Sequence, residues 1–325
     1  MKDNNILDKA DNTILTNLEF NSRIKDKDLA KLCHLSKDSI RYRIRNLEKE
    51  GIILGYSCFI DYTKLGRICY KIYLKIHGSE KDWNNLREFI DSFNSIFERF
   101  EAQSDWNFGI VYFAKSLYDY YSFERELFTN FGQIIQSFEL SQMLDAEIFE
   151  PRFLIENKSK SFQVFGDVKD VVLDEIDRQI LELLLKDSSL PLIKLSENVN
   201  LSPDATKKRI QRLVKEQVIK KNVTNINYQK IGFEIYKVFI WVKGYTQEVE
   251  KKIIDKLADY RNVRNTIRMI GPWKIEVEFA CRNYDDLYVI LKDLRISFPE
   301  NITSLNYAIF RNNVYYPSKK VIDSK

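Results

Sequence analysis

A chain of 325 residues, 44% hydrophobic and 30% charged, is long enough for roughly two to four domains and too apolar to be disordered. Its formal net charge of +4 is too small to mark a nucleic-acid or membrane binder by overall balance, so any cationic surface must be local. Cys33, Cys58, Cys69 and Cys281 form no C-x-x-C pair, and only Cys33 and His34 bring two candidate ligands together; neither a disulfide framework, a metal site nor a cofactor is expected.

The opening stretch MKDNNILDKADN is charged where a signal peptide needs an apolar core. No apolar run approaches the ~18 residues of a membrane span, so a cytoplasmic protein without membrane contact is expected. Asp8 is placed to cap a helix striped by Ile14, Leu15 and Leu18, and the polar break Asn21-Ser22-Arg23 ends it. A second short helix follows from Lys27 to Cys33, with Leu29 and Leu32 inward. A turn at Leu35-Ser36 leads into a third helix in which Ile40, Ile44 and Leu47 share one face. Ser36 is the expected cap of that helix, and Lys37, Arg41, Tyr42 and Arg45 lie on its outer side. Three helices with a tight turn before the last make a helix-turn-helix, whose last helix is sized for the major groove of DNA. After Gly51, the runs Ile52–Leu54 and Tyr56–Ile60 around Gly55 predict a short hairpin, the wing of a winged helix. A charged outer face is by itself more often a solvated face than a reader, so the assignment leans on the whole three-helix context.

The next segment changes character. A strand at Tyr70–Ile76, a helix at Lys81–Ser92, strands at Ile96–Ala102 and Asn107–Ala114, a helix capped by Ser116 and a strand within Ile134–Met143 give the order βαββαβ. This is the ferredoxin-like motif: two helices cover one face of a four-stranded sheet and the other face needs a partner.

The whole unit then repeats. Leu7-Asp8, Asp11, Ile14-Leu15 and Leu18 recur as Leu173-Asp174, Asp177, Ile180-Leu181 and Leu184, Leu35-Ser36 as Leu201-Ser202, and Arg43-Ile44 as Arg209-Ile210. Second-copy elements are expected at Tyr236–Val242, Val249–Tyr260, Val263–Met269, Lys274–Ala280, Tyr284–Leu294 and Ile302–Phe310. The fold class is therefore α+β, a tandem duplication of a winged helix-turn-helix and a βαββαβ domain. The expected boundaries are 1–62 and 63–155 for the first copy, 156–170 for a polar linker, 171–228 and 229–317 for the second copy, and 318–325 for a tail.

The exposed faces of the two third helices differ. Ser202-Pro203 opens the second, which offers Lys207, Lys208, Gln211 and Arg212. Arg reaches guanine bidentately, Gln reaches adenine and Lys mostly finds phosphate. The DNA-contacting set is thus Ser36, Lys37, Arg41, Tyr42, Arg45, Ser202, Lys207, Lys208, Gln211 and Arg212, whereas Arg43 and Arg209, at the edge of the buried stripe, read as internal struts. Trp83, Trp106, Trp241 and Trp273 fit either a stacking platform or core packing, and core packing is the commoner use. His34 and His77 have no catalytic neighbour, so no catalytic residue is assigned and no enzyme is expected.

Each copy resembles the Lrp/AsnC group of regulators. The carriers are L-D-x-x-D-x-x-I-L-x-x-L, then Leu29-Ala30 or Leu195-Ser196, then L-S followed by R-I-x-x-L, and Lys64-Leu65-Gly66 or Lys230-Ile231-Gly232. The resemblance implies a transcriptional regulator that binds double-stranded DNA, pairs its two open sheets as an internal pseudo-dimer and senses an amino acid or related small effector, while a homo-oligomer beyond the pseudo-dimer stays open. The effector would meet the turn Gly271-Pro272-Trp273; the first copy departs from that pattern with Ser104-Asp105-Trp106. Two other readings stay open: an enzyme similar to the sirohaem decarboxylases of the same two-part architecture, and a regulator-like protein that only binds a partner protein.

Overall fold

The computed structural model describes residues 7–155, 160–166, 171–315 and 322. The first reader comprises α1 (Lys9–Phe20), α2 (Asp26–Cys33) and α3 (Lys37–Lys49); the second comprises α6 (Glu175–Lys186), α7 (Leu192–Asn198) and α8 (Pro203–Lys215). Asp8 and Asp174 both form capping boxes, with Asp11 and Asp177 as reciprocal partners, which fixes where α1 and α6 begin. The turn into each third helix needs one left-handed residue, supplied by His34 (φ 54°) and Asn200 (φ 52°). His34 is therefore a turn residue, and Ser36 and Ser202 then cap α3 and α8 through the amides of Ser39 and Ala205.

The expected wing hairpin does not form. Ile53–Ile60 is one strand, β1, and it pairs antiparallel with β7 (Ile219–Ile226) of the other copy, Tyr56 opposite Thr224 and Ser57 opposite Val223. Gly55 produces a register shift beside Ile53 and not a reversal. Gly between two β-prone runs suits a bulge as well as a turn, and the partner strand 166 residues away decided the outcome.

The first βαββαβ domain contains β2 (Ile68–Ile76), α4 (Glu80–Ser92), β3 (Ile96–Gln103), β4 (Phe108–Ala114), α5 (Leu117–Phe131) and β5 (Ile135–Phe149). Its counterpart contains β8 (Glu234–Val242), α9 (Gln247–Asp259), β9 (Val263–Ile270), β10 (Ile275–Cys281), α10 (Tyr284–Ser297) and β11 (Ile302–Tyr315). The sheets are ordered β5-β2-β4-β3 and β11-β8-β10-β9, and they are joined at both edges, β3 to β11 and β9 to β5. Eight strands thus close into a flattened ring. Both C-terminal strands outrun their expected ends: β5 pairs with β2 through Gln142 and with β9 from Gln142 on, and β11 leaves β8 at Ile309 to join β3. Local alternation marks a strand but cannot show that its second half belongs to a neighbouring sheet.

Alternation along each strand sorts the core. Outer positions such as Ile72, Leu74, Ile110 and Tyr112 lie under α4 and α5 with Leu86, Ile90 and Phe123, and Val238, Ile240, Val277 and Phe279 lie under α9 and α10. Inner positions meet between the sheets, where Tyr73, Phe100, Trp106, Phe239, Trp273 and Phe310 form an aromatic seam. Trp241 packs against this seam, so three of the four tryptophans serve it, while Trp83 packs on Phe108 under α4. The expected linker contains a strand, β6 (Ser161–Phe165), which adds to β5 and seats Phe162 against Phe20 and Phe59. Residues 156–159 and 167–170 of that linker, and the tail except 322, lie outside the described residues. Among the described residues no helix is long and apolar enough to cross a membrane.

Candidate nucleic-acid interface

The two readers are braced as one body. Ser22 donates its amide to Asn222 at 2.9 Å, and Ser188 donates its amide to the equivalent Tyr56 at 3.1 Å. The Ser22 and Ser188 hydroxyls meet at 3.2 Å, Arg23 Nε donates to the Ser188 carbonyl at 2.8 Å, and Thr224 Oγ1 donates to Leu18 at 2.9 Å. A pseudo-twofold relation between residues 166 apart is written into this contact. The separation of the two third helices is accordingly set by β1–β7 pairing and not by a tether.

Within each reader an arginine ties the first helix to the third. Arg43 Nη1 lies 2.8 Å from Asp8 and 2.7 Å from Asp11; Arg209 Nη1 lies 2.7 Å from Asp174 and 2.9 Å from Asp177. The amide of Asp11 and the Arg43 guanidinium hold the Asp8 carboxyl below the usual range. Both arginines are the struts expected from their place at the stripe's edge.

On α3, Lys37, Arg41, Tyr42 and Arg45 are all exposed, Tyr42 by 63%. Arg41 rests on Asp26 at 2.7 Å and Arg45 Nε donates to the Arg41 carbonyl at 3.2 Å. On α8, Lys207, Lys208 and Gln211 are exposed, but Arg212 is drawn back: its Nη2 bonds the buried carboxylate of Asp177, and its Nη1 lies 3.8 Å from Glu216. Nine of the ten expected contact residues thus share the open faces, including the caps Ser36 and Ser202, and Arg212 serves the strut.

The turn Gly271-Pro272-Trp273 sits between β9 and β10 at the seam. Trp273 is fully buried and its Nε1 donates to Glu276 at 3.0 Å. A Cβ at Gly271 would stand 2.5 Å from Ser141 Oγ, so the turn is glycine because the chain passes close to β5 there. In the first copy Ser104 closes its own turn by donating to the Trp106 carbonyl at 2.5 Å.

Sequence reasoning missed a buried ionic cluster in the seam. Lys71 Nζ donates to Glu276 at 2.6 Å, Lys237 lies 2.9 Å from Glu278 and 3.6 Å from Glu276, and the Tyr73 hydroxyl donates to Glu276 at 2.7 Å. The one available signal was Lys71 and Lys237 recurring inside two apolar strands, and lysine in a strand ordinarily reads as solvent-facing. Cys58, Cys69 and Cys281 are buried thiols pushed up to about 12 by loss of solvent.

The family described as winged helix-turn-helix DNA-binding matches residues 7–53 and again 173–220. An HTH-type transcriptional regulator of Pyrococcus horikoshii is 39% identical over 119 residues, which cover 37% of this chain and 74% of that one. The HTH-type transcriptional regulator LrpA of the same organism is 26% identical over 140 residues, 42% of this chain and 96% of its own. The crystal structure of the siroheme decarboxylase NirDL aligns over 94% of this chain and 91% of that chain with a TM-score of 0.64 at 10% identity, a likeness of fold along nearly the whole length. The relatives match about one copy's worth of sequence each, and the reader motif is found twice. The chain belongs to the Lrp/AsnC family of HTH-type transcriptional regulators, as a tandem duplication of the family's unit.

Proposed function

We propose that the protein is a sequence-specific regulator of transcription that grips double-stranded DNA as an internal pseudo-dimer. The observation that carries this reading is the bracing of two unlike reader helices by β1 and β7 into one rigid pair, since paired recognition helices address half-sites at a fixed spacing. Genome-wide pull-down with sequencing tests it: recurrent duplex sites are expected, and their absence overturns it. Affinity should also fall by roughly 0.9 log unit per neutralised phosphate for each log unit of salt.

A small metabolite acts, on this reading, at the turn Gly271-Pro272-Trp273 of the second copy, where β5 of the first copy passes close by. Support comes from Ser141 Oγ, which is buried beside Gly271 and has no hydrogen-bond partner, a polar atom suited to a ligand. Calorimetric titration with free amino acids tests this, and Ser141→Ala should abolish any heat signal. The fold shared with the siroheme decarboxylase favours an enzyme only at the level of architecture. Here one histidine is a turn residue and the seam is filled by aromatic rings. Visible absorbance from a tetrapyrrole in purified protein would reverse the choice.

A further inference from the structure

We infer that the two readers divide the work: the first specifies bases, and the second holds the phosphate backbone and tolerates sequence. This rests on the DNA-binding reading and adds which half of the site is strict.

The repeat places Arg41 opposite Lys207, Tyr42 opposite Lys208, Arg45 opposite Gln211 and Asn46 opposite Arg212. Two guanidinium groups therefore stand on the open face of α3. Arg45 lies along its own helix, and Arg41 is held by Asp26 in a pair whose side chains are 56% and 34% exposed. Exposed pairs of that kind are weak, and Arg41 can exchange its partner for DNA. A guanidinium offers two parallel donors, which match the two acceptors on the guanine edge, and Tyr42 adds a planar ring beside them.

The face of α8 presents no free fork. Its arginine at the equivalent turn, Arg212, bonds Asp177, whose side chain is 1% exposed and also takes Arg209 and the amide of Asp174. Moving Arg212 to a base would strip one donor from a buried carboxylate, a far larger penalty than releasing Arg41 from a surface pair. What remains is Lys207, Lys208 and Gln211. Ammonium groups are point charges that select phosphate without reading sequence, and one Gln leaves one base-reading group on this side. Glu48, an acid at the lower end of the first face, is replaced in the second by Val214, which removes a repulsion toward the backbone. The exchanges of Arg41 for Lys207, Tyr42 for Lys208 and Glu48 for Val214 move the second helix from discrimination toward grip, and Gln211 is left as its one base-reading group. Arg212 is on this account a positioning residue, acting through Asp177 on the α6–α8 packing.

Selection of duplexes from a random pool by the full chain tests the division. The expected product is one sharply defined half-site beside one tolerant half-site. Arg45→Ala should flatten the sharp half by about tenfold at its strongest position, leaving thermal stability unchanged. Arg212→Gln should lower the melting temperature while the selected sequences stay as they were. The exchange Lys208→Tyr with Gln211→Arg, which gives α8 the front of α3, should sharpen the tolerant half. Two equally sharp halves from the parent protein, or a sharp half that survives Arg45→Ala, overturns this inference and leaves the DNA reading standing. Recovery of no preferred sequence at all overturns both.

Discussion

Beneath the two readers lie two regions that the duplication makes equivalent and the side chains make opposite. Where α1 meets the second sheet, Glu19 bonds the Tyr228 hydroxyl and lies 3.6 Å from Arg264. Arg264 stands 4.8 Å over the Tyr228 ring and 3.2 Å from Glu278, which leads through Lys237 to Glu276 and Lys71. Where α6 meets the first sheet, the equivalent positions are Leu185, Tyr62, Phe97, Val111 and Gly109. There Tyr62 packs edge-on to Phe97 at 5.6 Å and against Phe113 at 4.5 Å. At Gly109 the ring of Phe100 fills the space a Cβ would need, at 2.0 Å.

One backbone accepts both solutions because the seam demands only filled volume and satisfied polar groups. Glu276 and Glu278, the acids paired with Lys71 and Lys237, reside in β10, while β4 has Gly109 and Val111 in the same places; Glu98 of β3 adds a further carboxylate that acts on Lys237 and Tyr73. Lys71 of the first copy consequently finds its carboxylate only in the second. A mismatched surface set against the ionic side would leave buried charges unpaired, a penalty that the aromatic side does not carry.

The comparison breaks most severely at Glu276, which serves Lys71, Lys237, Tyr73 and Trp273 at once. Glu276→Leu leaves two buried ammonium groups with too little opposing charge and should destabilise the fold by about 3–5 kcal/mol, the usual penalty for orphaning one partner of a buried pair. Thermal unfolding measures this. Replacing the set together, Lys71→Met, Lys237→Met, Glu276→Leu and Glu278→Leu, should restore most of the loss by making this side as apolar as its counterpart. If the single substitution proves harmless, the cluster is not what holds the seam.

Acid should separate the two regions next. Lys237, Arg264 and Lys71 face Glu278 and hold its carboxyl at about 2 against an ordinary 4.5, although burial works the other way. Because the folded value is the lower one, this stabilisation is fully present above pH 4.5 and drains away as pH falls toward 2. The difference corresponds to about 3 kcal/mol at most. A melting temperature that falls from pH 5 to pH 3 in the parent protein and less steeply in Glu278→Gln is the expected result; parallel curves would remove Glu278 from the acid response.

How much of this was legible in the sequence follows from the range of each cause. The capping boxes at Asp8 and Asp174, the struts Arg43 and Arg209 and the order of strands and helices rest on spacings of a few residues, so they could be read directly. The pairing of β1 with β7, the crossing of β5 and β11 into the opposite sheet and the burial of Lys71 against Glu276 join residues more than a hundred positions apart and have no local signature. Arg212 shows the same limit on a single side chain. Helical phase places it toward solvent, and only the second carboxylate oxygen of Asp177, one helix away, explains why it turns back.

Glu19 offers the smallest and most discriminating test. Burial pushes its carboxyl above the ordinary 4.5, and Arg264 and the Tyr228 hydroxyl offset this only in part. A carboxyl raised in the folded state is most at ease there when protonated. Its contribution is thus fully present below pH 4.5 and is lost as pH rises through the folded value. At neutral pH the charged Glu19 is tolerated, not favoured. Glu19→Gln keeps an oxygen to accept from Tyr228 and removes the charge, at the loss of a 3.6 Å contact with Arg264, which retains Glu278. The variant should match the parent near pH 4 and exceed it slightly at pH 7, by less than about 1 kcal/mol, with the gap opening between. Glu19→Leu, which copies Leu185 of the other side, leaves the Tyr228 hydroxyl buried without its acceptor and should fall below Glu19→Gln at every pH. Should Glu19→Gln instead lose stability at neutral pH and regain it in acid, the ion pair with Arg264 outweighs burial, and the polar side earns its charge at this end as it does at Glu276.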